Sequence, residues 1–149
     1  MNFTENEITQ ANTIFNKLRE ELNLPYMEIT VSPYRPICGE KGNIDKNGGI
    51  VVYTQKIKSF EDLIHTIRHE ARHVWQQINF PEHVRWSRDN MQYYSDLKSC
   101  NMLYVYCTIE ADAEQFALYN NTELGALLKR STEWLEVKKN DFYHNCKPA

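Results

Sequence analysis

The residues with the most distinctive chemistry are His69-Glu70-Ala71-Arg72-His73, a His-Glu-x-x-His pattern. On a helix, positions four apart share one face a turn apart. Two imidazoles so spaced can hold one zinc ion, and the carboxylate between them reaches the water that the ion activates. A chain of this composition produces the pattern by chance only about 0.015 times over its length, so coincidence is a weak explanation.

The flanking residues supply the helix. Ser59, followed three positions later by Asp62, reads as a helix start. Phe60, Leu63, Ile64, Ile67, Ala71, Val74, Trp75 and Ile78 then recur at helical spacing until Pro81. At about 100° per residue this stripe centres near Ile67, with His69 pointing away from it and His73 well off it. Both histidines are therefore expected outside the core, on a polar face with His65 and Gln76. Residues 69 and 73 already make the pair, which leaves His65 as a cleft or surface residue. The alternative is a merely solvated polar face.

A catalytic zinc takes a third protein ligand and keeps one position open. Glu110 falls on a helical line with Leu103, Cys107, Ala113, Glu114 and Ala117. A carboxylate among small and apolar side chains needs compensation, which a metal provides. Asp112 lies about 200° round the helix from Glu110 and faces away, whereas Glu114 is about 40° round and one turn further on. The residues alone leave Glu110 and Glu114 in competition. Glu114, one turn beyond Glu110, is a candidate to accept the other N–H of a ligand histidine.

At this helix the chain resembles a family. Glu110-Ala111-Asp112-Ala113-Glu114-Gln115-Phe116-Ala117 is similar to the Glu-x-x-Ala-[Asp/Glu]-x-Phe-Ala helix that follows His-Glu-x-x-His in many zincins. The likeness is to gluzincin-like metallopeptidases, and among them to compact ImmA-type or SprT-like domains. It spans roughly residues 48 to 118. It implies Glu110 as the third ligand beside His69 and His73, one zinc per chain, Glu70 as general base, and Glu114 behind a ligand histidine. The implied activity is that of an endopeptidase acting on a protein or peptide. The implied fold is a minimal zincin: α+β, with a small mixed sheet packed on the metal helix and a mainly helical C-terminal half. Gln76 and Asn79 stand where the extended metzincin pattern has its glycine and third histidine, and the paired cysteines of a zinc ribbon are missing.

Other segments must position these residues. Thr4 and Glu7 form a capping box ahead of Ile8, Ala11, Phe15, Leu18 and Leu22, an amphipathic helix. Met27, Ile29 and Val31 alternate as a half-buried strand, and residues 42–49 read as turn and hairpin chemistry. Residues 50–54 are β-branched and aromatic, the strongest strand, and are expected as the edge that pairs with an extended substrate. Residues 80–98 lack a period and read as a loop with room for a short helix. Helices are expected up to Tyr119 and again over Leu124–Leu135. Arg85, Tyr93, Tyr94 and Tyr106 are candidate oxyanion donors, each as readily structural.

The bulk properties bound the partners. The 149 residues suit one domain, 1–149, and 42% apolar with 25% charged residues suits a packed core. A net charge of -3 offers no field for nucleic acid or an anionic membrane. Neither a secretory leader nor an apolar run of spanning length is present, so a cytoplasmic location is expected. Cys38, Cys100, Cys107 and Cys146 form no Cys-x-x-Cys pair and read as free thiols. A second functional class is a binding module or effector that keeps the scaffold and recognises a protein without cutting it. Glu70 argues against it, because a pure binder has no use for a general base between its ligands.

Overall fold

The computed structural model describes residues 2–34, 40–45, 48–89 and 101–119, with backbone only for 89 and 101–107. It is α+β, with four helices and a small mixed sheet. The elements are α1 (Glu5–Glu21), β1 (Ile29–Ser32), β2 (Gly42–Ile44), β3 (Ile50–Tyr53), a 3-10 turn (Thr54–Lys56), α2 (Phe60–Asn79), α3 (Pro81–Asp89) and α4 (Asn101–Tyr119).

Helix ends follow the local chemistry. The Thr4 hydroxyl accepts from the Glu7 N–H and the Glu7 carboxylate accepts from the Thr4 N–H, closing the capping box of α1. At its other end Asn23 takes φ 53°, and the Leu24 N–H reaches the Arg19 carbonyl at 2.9 Å, a left-handed helix stop that asparagine tolerates. Ser59 caps α2 by accepting from the Asp62 N–H at 3.0 Å. The Asp62 carboxylate then accepts from the Lys58 N–H at 2.9 Å and pairs with Lys41 Nζ at 2.7 Å. That ion pair ties the approach to β2 onto the first turn of α2.

The sheet order is β1-β3-β2, with β1 parallel and β2 antiparallel to β3. This corrects one expectation. Ile50–Tyr53 is the central strand, paired on both sides, so it cannot receive a substrate strand. Its composition already fits that place, since Ile50 and Val52 are completely buried and apolar runs belong in sheet interiors. Among the described residues β1 and β2 each have a neighbour only in β3 and form the two edges, β2 being the one beside the cleft.

One core joins the elements. Ala11, Phe15 and Leu18 of α1, Ile50 and Val52 of β3, Leu63, Ile67, Ala71 and Val74 of α2, and Phe116 of α4 are all buried and packed together. The stripe read for α2 is present, except that Ile78 is half exposed. Pro81 does end α2, and at the same time it opens α3, where a proline at the first helical position loses no hydrogen bond. Residues 90–98, the proposed helix over 124–135, Cys38, Cys100, Cys146, and the side chains of Cys107 and Tyr106 lie outside the described residues, as do Tyr93 and Tyr94. Among the described residues no helix is long and apolar enough to cross a membrane.

Candidate metal centre

The helix α2 carries His69 and His73 one turn apart, and α4 lies along it, bringing Glu110 opposite both rings. His69 Nε2 and His73 Nε2 are 3.1 Å apart. Glu110 places one oxygen 3.4 Å from His69 Nε2 and the other 3.4 Å from His73 Nε2. Ligand atoms about 2.0–2.1 Å from a tetrahedral zinc stand roughly 3.3 Å from one another. The observed separations are close to that edge length, with the carboxylate facing the two rings through different oxygens, and an imidazole pair with one carboxylate is a common donor set for catalytic zinc. The residues therefore fit a zinc ion.

Each ring also has its far nitrogen engaged. His69 Nδ1 lies 3.1 Å from Glu114 Oε2, and the same oxygen is 3.2 Å from His65 Nε2. His73 Nδ1 lies 2.8 Å from Gln76 Oε1. His65, His69 and Glu114 form a second cluster of possible ligands. It competes for His69: with Nδ1–H given to Glu114, Nε2 keeps its lone pair for the first cluster, whereas metal at both nitrogens requires the ring to lose both protons. The first cluster is favoured because Glu114 acts there as an ordinary acceptor.

Charges follow from this crowding. Burial pushes the Glu110 carboxyl up, but hydrogen bonds from His69 and His73 and their charge overcome it and hold the group well below the usual carboxylate range. Burial pulls His73 down, yet the hydrogen bond and charge of Glu110, with help from Gln76 and Glu70, leave it above the ordinary imidazole value. Burial raises the Glu70 carboxyl, opposed by His73 and His69 and reinforced by Glu110 and Glu40.

These groups open into a cleft of about 1310 Å³, walled by β2, the solvent face of α2, and parts of α3 and α4. Glu70 sits on its floor and has no hydrogen-bond partner among the described residues. Gly42 lets β2 lie against it: a Cβ there would meet Thr66 Cγ2 at 2.8 Å, Glu70 Cγ at 3.1 Å and the Val51 carbonyl at 3.1 Å. The Lys41 carbonyl accepts from Tyr53 and the Asp45 N–H donates to Gly49. Alternate residues of an antiparallel strand turn outward, so Gly42 and Ile44 present their backbone groups away from β3. The Ile44 N–H is taken by Asn43 Oδ1 at 2.8 Å.

The sequence reading and the structure differ at several side chains. His65 lines the cleft. Gln76, expected on the solvated face, is completely buried, because α4 covers that side of α2. The buried face of α4 runs through Ile109, Asp112, Ala113, Phe116 and Ala117. Glu110, 41% exposed, therefore borders the cleft and does not lie in an apolar stripe. Asp112 does face away from the metal ligands, but into a buried pairing with Arg72. The Arg72–Asp112 pairing was not legible in the sequence, because Arg72 lies about 140° round α2 from Ile67 and Asp112 about 200° round α4 from Glu110, off the stripe assigned to each helix. Arg85 is exposed, pairs with Glu82 at 3.1 Å and is not among the residues lining the cleft. Compared with known proteins, no protein-family model matches the chain, and no curated protein or solved structure is significantly similar to it.

Proposed function

We propose that this chain is a zinc-dependent endopeptidase with a minimal zincin fold, in which His69, His73 and Glu110 hold one zinc ion and Glu70 moves the proton. The observation that carries the reading is the convergence of His69 Nε2 and His73 Nε2, 3.1 Å apart, on the Glu110 carboxylate, whose two oxygens lie 3.4 Å from one ring nitrogen each, with Glu70 in the same cleft. A mixed sheet beside α2 and, among the described residues, the helices α3 and α4 after it support the fold assignment.

Zinc held there supplies Lewis acidity towards a water and towards a peptide carbonyl. The chain's own residues do the rest. Glu70 takes a proton from the attacking water and returns it to the leaving amine, and a carboxyl raised by burial is better matched to both halves of that task. The outward N–H and C=O of Gly42 and the C=O of Ile44 offer an extended peptide a short strand to pair with, laying its backbone across Glu70. Glu114 and Gln76 hold the two rings from behind. The substrate class is therefore protein or peptide chains able to enter as a strand, with no membrane or nucleic-acid partner required.

The test is Glu70→Gln on an unfolded, casein-like substrate. The variant should retain zinc and lose roughly 10² or more in rate, the scale of positioned acid-base catalysis. Identical behaviour of wild type and variant on every casein-like or self-cleavage substrate, with a protein partner still binding both, would remove the peptidase assignment and favour a zincin-scaffold binding module.

A further inference from the structure

Behind the metal ligands lies a polar network that solvent does not reach. Arg72 is 1% exposed, and Asp112 and Gln76 are 0% exposed. Arg72 Nε and Nη2 donate to the two oxygens of Asp112 at 2.7 and 3.0 Å. The guanidinium also lies 3.5 Å from the Trp75 ring centroid. Gln76 Nε2 donates to Asp112 Oδ2 at 2.8 Å and to the Ile109 carbonyl at 2.9 Å. Both of those partners are acceptors only, so the amide can face them with its NH2 alone. Its oxygen is then forced to face His73 Nδ1, 2.8 Å away. A carbonyl oxygen only accepts, so His73 must carry a proton on Nδ1 to satisfy it.

We infer that Gln76, held in one orientation by the buried Arg72–Asp112 pair, is a positioning residue that fixes His73 as its Nδ1–H tautomer and so keeps the Nε2 lone pair facing Glu110. This rests on the zinc reading for its purpose, though not for its existence. The opposing partners are Glu110, whose carboxylate would draw the proton to Nε2, and His69 Nε2, 3.1 Å from that same nitrogen. Burial decides between them. The Glu110 side chain is 41% exposed and can be satisfied by water, whereas the Gln76 oxygen has no such alternative, and stranding a buried polar group is costly. The consequence reaches across the fold, because Ile109 and Asp112, which orient Gln76, flank Glu110 on α4. One buried amide thus sets the His73 tautomer and ties it to the helix that brings Glu110.

Long-range 1H–15N spectra of the imidazole nitrogens in the full chain, stripped of metal and at a pH where His73 is neutral, read the tautomer directly. The expected result is a protonated Nδ1 and a bare Nε2 at His73. An Nε2–H ring, or an even mixture, overturns the proposal, and this outcome is separate from whether the chain binds zinc. The same chain loaded with zinc gives the second readout. Gln76→Leu should weaken zinc binding by about 10- to 100-fold, as for other partners of ligand histidines. Leu63→Ala, which loosens the core under α2 away from Arg72, Gln76 and Asp112, should lower the melting temperature and leave affinity unchanged. Equal zinc affinity in Gln76→Leu and wild type also overturns it, as would a loss in Leu63→Ala as large as that in Gln76→Leu. Should Gln76→Leu not fold, the wild-type tautomer decides alone.

Discussion

His69 and His73 each engage Nδ1 with an acceptor and turn Nε2 towards the same carboxylate, and three predictions follow from that arrangement. First, Glu110 touches both Nε2 atoms while Glu114 stands behind His69. In competition with a chelator, Glu110→Gln should therefore lose far more zinc affinity than the 10- to 100-fold typical of a residue behind the ligand, which is the range expected for Glu114→Gln. The reverse order would move the assignment by one turn of α4. Second, zinc needs neutral imidazoles, and His73 holds its proton more tightly than usual. Zinc affinity measured against pH should begin to fall, on acidification, above the ordinary imidazole value of about 6.5. The same raised pKa stabilises the metal-free fold below the unfolded imidazole value and is lost as pH rises through the folded one. Acidification in that window should thus strengthen the metal-free chain while it weakens the zinc-loaded one. Third, burial raises Glu70, so its ionised form destabilises the metal-free fold once the pH exceeds the unfolded carboxyl value. Glu70→Gln should raise the melting temperature of the metal-free chain at pH 7 relative to wild type, with the difference vanishing at about pH 4. The pair His69 and His73 was legible because helical spacing is local. Gln76 was not, since its burial depends on α4, which lies 33 to 36 residues away along the chain.

Among the elements, β2 shows most plainly what sequence reasoning missed. Three residues rich in glycine and asparagine carry almost no strand signal, yet pairing with β3 and the Lys41–Asp62 contact hold them at the cleft edge. The stronger-looking strand, Ile50–Tyr53, is central for the reason that made it legible: its side chains are apolar because the sheet buries them. The helix starts at Thr4 and Ser59 were readable from their side-chain chemistry and are present in the fold. The facing of α4 was not, because tertiary pairing of Arg72 with Asp112 overrides the rule that charged residues stay outside. The tight seat of β2 on α2 yields a prediction of its own. Gly42→Ala forces a methyl towards Thr66, Glu70 and the Val51 carbonyl, and either the strand or Glu70 must move. Peptidase rate should fall by roughly 10-fold or more, since small misplacements of a catalytic group are costly, while zinc content stays unchanged. A variant with unaltered rate would show that β2 does not need its present distance from Glu70.

At the scale of the whole molecule, the proposed metal centre would link two helices whose candidate ligands are 37 and 41 positions apart in sequence, from His73 and His69 to Glu110. The α2–α4 seam already contains Arg72, Gln76 and Asp112, so a zinc ion would add a second tie at the cleft side of that seam. Binding to the folded chain alone stabilises it by about 2.7 kcal/mol at a free zinc concentration a hundredfold above Kd, and the melting temperature should rise with zinc concentration accordingly. The most direct single measurement is the zinc content of the folded chain at neutral pH. About one zinc per chain is predicted, as three protein ligands at one point require. Less than about 0.2 zinc per folded chain, with zinc offered in excess, would contradict the assignment of His69, His73 and Glu110 as a metal centre.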